Sequence, residues 1–297
     1  MYSEISANKR KTFFLIVFFI AIMGGFGWII AQIQGNPALF IGIAVFAVVY
    51  AWIGYYNSDK IALALSGAKR VNKKDAPKLY RTVENLSITA GLPMPRVYII
   101  NDPAPNAFAT GRNPQNAAVA ATTGLLEMLE DGELEGVIAH ELSHVGNYDI
   151  RVMALIIVLV TIIVYLSDIF LRMTFWGGHR GRDRGGNAAL LLVGKAVAVI
   201  APLIAMLLRL AVSRKREYLA DASGAMLTRY PDGLASALKK IATYPEPMQK
   251  ASSATAHLFF TNPLKDKQHR RMFASLFSTH PPVGERIKRL KKMGGEL

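Results

Sequence analysis

Residues 12–58 run for 47 positions without one charged side chain, long enough for two helical membrane spans of about 20 residues each. The pattern predicts spans over residues 12–33 and 37–55. The intervening Gln34-Gly35-Asn36-Pro37 supplies a turn, because Gly and Asn accept tight backbone geometry and Pro can open the next helix. The first apolar run is longer than the core of a cleaved leader, so it reads as a retained anchor. Two less pure apolar segments follow at residues 152–170 and 188–212, joined by a loop rich in Gly and Arg. If they pair as a hairpin, Asp168 and Lys195 lie at matching depth and are expected to neutralise each other, since an isolated intramembrane charge is costly. The competing reading places both near the far interface, where they snorkel.

The remaining polar stretches carry shorter patterns. Residues 76–90 read as an amphipathic helix ended by Gly91, residues 95–100 as a strand, and residues 101–105 as a turn. Residues 117–122 read as a second strand, weakened by alanine, residues 123–129 as a helix ending near Asp131-Gly132, and residues 133–145 as a further helix. Neither polar half is large enough to bury a good core alone. The expected division is an N-terminal membrane hairpin (1–58), a first half of a discontinuous domain (59–149), a second membrane-spanning or membrane-inserted hairpin (150–212) and the second half of that domain (213–297).

Composition agrees with a membrane protein: 52% of residues are hydrophobic and the mean hydropathy is +0.25. Lys9, Arg10 and Lys11 precede the first span, and Lys60, Lys69, Arg70, Lys73 and Lys74 follow the second. Positive flanks stay in the cytoplasm, so the N-terminus and the polar domain are expected there. Arg172, Arg180, Arg182 and Arg184 in the central loop oppose this trend if both later segments cross fully. The net charge of +14 fits anionic headgroups, and no nucleic-acid motif accompanies it, so no nucleic-acid partner is expected. With no cysteine in the chain, disulfides and thiolate metal ligands are excluded.

The candidate chemistry lies in His140-Glu141-Leu142-Ser143-His144. On a helix, residues four apart share a face, so His140 and His144 can bind one metal ion through imidazole nitrogen. Glu141 lies one residue further round. It suits a general base that takes a proton from metal-activated water and passes it to the leaving amine. A catalytic zinc needs a third protein ligand. Beyond the fourth apolar segment, Glu217 and Asp221 sit at helical spacing in Ser213-Arg214-Lys215-Arg216-Glu217-Tyr218-Leu219-Ala220-Asp221. Spacing alone would also suit a surface helix whose acids pair with Arg214 and Arg216. A folded membrane hairpin, however, returns this segment to the HExxH helix, which makes Glu217 the expected third ligand and Asp221 a hydrogen-bond acceptor fixing a zinc-bound histidine.

HELSH followed, beyond the apolar pair, by SRKREYLADA resembles the M48 family of membrane zinc metalloproteases, in its bacterial and archaeal heat-shock branch. The likeness extends to the N-terminal hairpin, to Asn106-Ala107-Phe108-Ala109-Thr110-Gly111, and to Ser278-Thr279-His280-Pro281-Pro282 with Glu285-Arg286-Ile287 after it. It implies one zinc ion bound by His140, His144 and Glu217, with Glu141 as catalytic acid and base. It also implies an integral cytoplasmic-membrane endopeptidase acting on misfolded or damaged membrane proteins in quality control and stress response. The expected fold is mainly α: a multi-pass membrane protein with about four transmembrane helices and a cytoplasmic zincin-like metalloprotease domain containing a small β-sheet.

Two other readings compete. One is a membrane-bound scaffold with a structural zinc, which would need four protein ligands; the other is a CAAX-type prenyl-protein protease. Secondary candidates are His280, whose following prolines could aim it at a developing oxyanion, and a substrate cleft edged by Asn106, Phe108, Ala118 and Ala120, where an extended peptide would add to a strand. A packed or capping His280, and a hairpin that merely packs beside the site, are the plainer alternatives. His179, His257 and His269 have no partner at ligand spacing and are expected to be solvated or interfacial.

Overall fold

The uncharged stretch folds as two long helices, and both outrun the apolar run that predicts them. α1 spans Tyr2–Gln34 and α2 spans Ala38–Leu65, with Gly35 at φ +63° in the turn between them. The computed structural model describes residues 2–162, 214–251, 255–263 and 281–295; the proposed Asp168–Lys195 pair, the central loop and His280 lie outside them. Among the described residues one helix, α2, is long and apolar enough to cross a membrane, with a mean hydropathy of 2.1. Phe40, Ile41, Val45, Val49 and Trp52 stand exposed along it. Most of its buried positions are small: Ala47, Ala51, Gly54, Ser58 and Ala62, beside Asp59 and Leu63 near its end. Such a stripe lets helices approach closely. Ala47 and Ala51 share a core with Leu15, Phe19 and Met23 of α1 and with Val152, Leu155 and Leu159 of a later helix. α2 continues past Tyr55 because Asp59, although charged, is buried in an ion pair with Arg96.

Four strands form a small mixed sheet. β1 (Ala68–Arg70), β2 (Arg96–Ile100), β3 (Ala107–Thr110) and β4 (Ala118–Thr122) lie in the order β1-β2-β4-β3. β2 and β4 run parallel from Arg96↔Ala118 to Ile100↔Thr122, and the outer pairs are antiparallel. Alanine is a weak strand former, but β4 is buried on both faces, and packing overrides propensity there. Val119 and Ala121 face one core, while Ala118 and Ala120 face another containing Phe108, Met153, Ile157 and Phe259.

Helices cover the first of these faces. α3 (Pro77–Ala90) opens on Pro77, closes on Gly91 in the left-handed region (φ +65°), and buries Leu79, Val83 and Leu86 along one stripe. α4 (Thr123–Met128) is capped by Thr122, whose hydroxyl accepts the Leu125 N–H at 3.2 Å. α5 (Asp131–Gly146) starts earlier than the sequence pattern suggests. Asp131-Gly132 form its first turn, not the preceding break, because Glu133 reaches back to accept the Glu130 N–H at 2.9 Å.

At Asn147-Tyr148 the chain bends by 81° into α6, Asp149–Ile162, with Tyr148 at φ +61°. α7 (Arg214–Thr228), α8 (Pro231–Thr243) and α9 (Val283–Gly294) then return to α5. One core joins Leu79, Leu125, Val137 and Leu142 to Ala225, Leu234, Leu238 and Leu290. The result is mainly helical with a small mixed sheet.

Candidate metal centre

The C-terminal half of α5 presents His140 and His144 on one face, both buried, with their Nε2 atoms 3.2 Å apart. From α7, Glu217 brings Oε1 to 3.5 Å from the His144 Nε2 and Oε2 to 3.9 Å from the His140 Nε2. Metal bonds of 2.0–2.1 Å at tetrahedral angles separate ligand atoms by about 3.3–3.4 Å. The three residues therefore stand near the spacing that a tetrahedral ion asks of its ligands, with one Glu217 oxygen toward each imidazole. Among the described residues this is the group of donors arranged to hold a metal ion.

The far side of each imidazole is tied down. The His144 Nδ1 lies 2.9 Å from Asp149 Oδ2, and the His140 Nδ1 lies 3.0 Å from Asp221 Oδ1. With both Nδ1–H groups donating to carboxylates, the two Nε2 lone pairs converge on one point, an arrangement a bound cation resolves. Burial carries the His140 pKa down to about 4 against the pull of Asp221. Burial also opposes charge on His144, but Asp149, Glu217 and Glu141 outweigh it and raise the value to about 9.

Asp221, one turn beyond Glu217, is gripped by Arg286 of α9. Its Oδ2 accepts from Arg286 Nε at 2.8 Å and its Oδ1 from a terminal guanidinium nitrogen at 2.7 Å. Burial alone would raise the Asp221 pKa, but Arg286 and then His140 hold it near 2. Arg286 is itself fully buried, stacks on the Phe260 ring at 4.9 Å, and reaches within 3.9 Å of Glu217. Glu141 is buried beside the donors but points elsewhere, toward β3. Burial, reinforced by Glu217, raises its pKa to about 7, while the Ala109 N–H donates to it and opposes the shift.

The model of peptidase family M48 matches residues 73–294 of this chain. The chain belongs to peptidase family M48. Three relatives described as protease HtpX homologs match over nearly full length. That of Tropheryma whipplei (strain Twist) is 51% identical, covering 100% of both chains. That of Caldanaerobacter subterraneus subsp. tengcongensis is 45% identical over 99% of this chain and 98% of its own. That of Listeria monocytogenes serovar 1/2a is 44% identical over 99% and 100%. The crystal structure of S. mikatae Ste24p shares the fold, with a TM-score of 0.52 at 18% identity, over 98% of this chain and 67% of that one.

Four of the residues singled out from the M48 sequence, His140, His144, Glu217 and Asp221, meet at one point, with Glu141 alongside. Asp149 and Arg286 join them without having been foreseen. Asp149 lies five residues past His144 and would point away on a continued helix; the left-handed Tyr148 turns it back. Arg286 belongs to a motif carried by the family resemblance, yet nothing near it in sequence ties it to Asp221, 65 residues earlier.

The expected cleft residues are placed differently. Ala118 and Ala120 belong to β4, which has strands on both sides, so neither offers a free backbone edge. The outer strand beside β4 is β3, and Phe108 on it is buried against Phe259. Asn106 is buried too, exchanging hydrogen bonds with the Thr261 backbone at 3.0 and 3.2 Å. The Ala107 carbonyl accepts the Phe260 N–H at 2.8 Å, so residues 259–261 line the start of that edge. His257, expected to be solvated or interfacial, is buried with Nε2 3.2 Å from the Met153 carbonyl.

Proposed function

We propose that this M48 metalloprotease is a zinc-dependent endopeptidase of the cytoplasmic membrane that hydrolyses peptide bonds of misfolded or damaged membrane proteins. The observation that carries the reading is the convergence of His140 Nε2, His144 Nε2 and a Glu217 carboxylate oxygen beside a buried carboxylate that stands apart from the donor triangle. Zinc, when bound by these three residues, supplies a Lewis acid that polarises the scissile carbonyl and acidifies water.

The chain's own residues do the rest. Asp149 and Asp221 hold the imidazole tautomers, so that Nε2 is the donor atom on both rings. Glu141 accepts a proton from the attacking water and delivers it to the departing amine nitrogen, a task suited to a carboxylate that can both take and give a proton near neutrality. The outer edge of β3, beyond the stretch lined by residues 259–261, is the place for an extended substrate to lie by main-chain hydrogen bonds, which suits loose sequence preference. His280 is an oxyanion donor in this scheme.

Three donors leave a coordination position open, which favours catalysis over a closed structural zinc. The exposed apolar side of α2 and the charge-free run over residues 12–58 support a bilayer setting with about four spans, the later two drawn from the apolar segments 152–170 and 188–212. The basic flanks of the first hairpin favour a cytoplasmic catalytic domain and N-terminus. The deciding comparison is wild type against Glu141→Gln, scored for zinc content and for cleavage of an unfolded membrane protein. Retained zinc with lost cleavage supports the mechanism, and equal cleavage by both rejects it.

A further inference from the structure

We infer that Asn8, near the start of α1, is a positioning residue for the metal centre, holding the carboxylate that orients His144. The inference rests on the reading of His140, His144 and Glu217 as zinc ligands.

Asn8 is fully buried, although it belongs to the polar stretch ahead of the first apolar run. Its side-chain nitrogen donates to the Asn147 carbonyl at 2.9 Å and to Asp149 Oδ1 at 2.7 Å. Both neighbours are acceptors, so the amide has only one workable orientation, with its NH2 toward them. Among the described residues its own oxygen has no partner. Asn8 is thus kept for the two hydrogen atoms it donates, at the expense of a buried acceptor.

Those two bonds act on the turn that shapes the site. Asn147 is the C-cap of the metal helix α5, and Asp149 opens α6. Asp149 divides its oxygens: Oδ2 takes the His144 Nδ1 at 2.9 Å, while Oδ1 takes Asn8 at 2.7 Å and Arg216 at 3.4 Å. A carboxylate held at one oxygen alone can swing about its Cβ–Cγ bond. Fixing Oδ1 from α1 fixes Oδ2 and, through it, the plane of the imidazole whose other nitrogen meets the metal. The first helix therefore reaches the ligand shell through one intervening side chain. Docking of α1 does not depend on Asn8 alone, since the Lys9 ammonium lies 5.3 Å from the Tyr148 ring centroid and Leu15 and Phe19 pack in the helical core. Loss of the Asn8 donors should therefore loosen the ligand while leaving the helix in place.

The test uses the full chain in detergent, with Asn8→Leu, Asp149→Asn and the double variant. Zinc affinity is read by competition with a chromophoric chelator, and ligand geometry by the visible absorption of the cobalt-substituted protein. Asn8→Leu is expected to weaken zinc about 10–100-fold and to shift the cobalt bands, with Asn8→Gln recovering part of the affinity. In the Asp149→Asn background the same change should add little, because the group it acts through is already altered. If Asn8→Leu does not yield folded protein, Asn8→Ser takes its place under the same two readouts.

Unchanged affinity and an unchanged cobalt spectrum in a zinc-binding protein overturn the inference, as do fully additive losses in the double variant. A wild type that binds no zinc, or whose affinity is untouched by His144→Ala, overturns the ligand assignment itself, and this inference with it.

Discussion

Gly224 packs so closely on the metal helix that a Cβ placed there would stand 2.9 Å from the backbone nitrogen of His140. It lies seven residues beyond Glu217 and three beyond Asp221, on the helical face that carries both. A glycine at the crossing lets α7 bring its carboxylates within reach of the imidazoles. Two effects of Gly224→Ala oppose each other: helix propensity favours alanine by about 1 kcal/mol, and overpacking a tight contact costs about 1–3 kcal/mol. The obstructing atoms are backbone and cannot rotate away, so the steric effect should win. We expect a lower melting temperature and weaker zinc binding by chelator competition. A raised melting temperature with unchanged zinc affinity would show that the crossing yields without strain.

Arg286 and Asp221 form a fork of two short hydrogen bonds with almost no solvent access. Removing one partner strands the other as a buried charge, which typically costs about 3–5 kcal/mol. Arg286→Leu should therefore destabilise the protein by about that amount, and Arg286→Lys by less, since an ammonium keeps the charge but loses the planar fork. In an Asp221→Asn background the cost of Arg286→Leu should shrink, because the stranded charge is gone. Denaturation of wild type, Arg286→Leu, Asp221→Asn and their double variant measures the coupling, and strict additivity would refute it.

What could be read from the sequence followed the helical period. His140 with His144, and Glu217 with Asp221, are pairs four apart, and each pair stays on one face for as long as its helix does. Asp149 and Arg286 escaped because their positions depend on the bend at Tyr148 and on the return of α9, neither of which leaves a periodic trace. The sheet was half legible. β2 carries branched and aromatic residues, whereas Ala107 to Thr110 offers only one large side chain, and its strand conformation comes from pairing with β4. The helix boundary at Asp131-Gly132 misled because acid and glycine suggest a turn, while the Glu130 and Glu133 pairing makes them a first helical turn.

Glu133 ties α5 to α8 and should give the protein an acid-sensitive component. Its carboxylate accepts from Ser236 at 2.6 Å, Lys240 at 2.7 Å and the Glu130 N–H at 2.9 Å. Burial would raise its pKa, but these donors and the Lys240 charge outweigh it and hold the value below the ordinary 4.5. A depressed folded-state pKa means the stabilisation is complete above 4.5 and is lost as pH falls through the lower folded value. Glu133→Gln should thus cost about 1–3 kcal/mol at pH 7, and its melting curve should converge on wild type below that folded value. A deficit that persists unchanged in acid would mean that packing, not charge, accounts for the loss.

Gly54 and Val158 set how closely α2 approaches α6. A Cβ on Gly54 would fall 2.2 Å from Val158 Cγ1, and the Tyr50 hydroxyl donates to the Val158 carbonyl at 3.2 Å one turn earlier on α2. α6 begins at Asp149, so any displacement of its axis is passed to the carboxylate that supports His144. Gly54→Ala should then do more than destabilise the helix pair by about 1–3 kcal/mol; it should also weaken zinc binding, although α2 carries none of the three donors. Val158→Ala removes the clashing methyl groups and opens space on the facing helix. The Gly54→Ala/Val158→Ala double variant should therefore recover both stability and zinc affinity toward wild type, a non-additivity of at least about 0.5 kcal/mol. Recovery of stability alone would confine the contact to helix packing and separate it from the metal site.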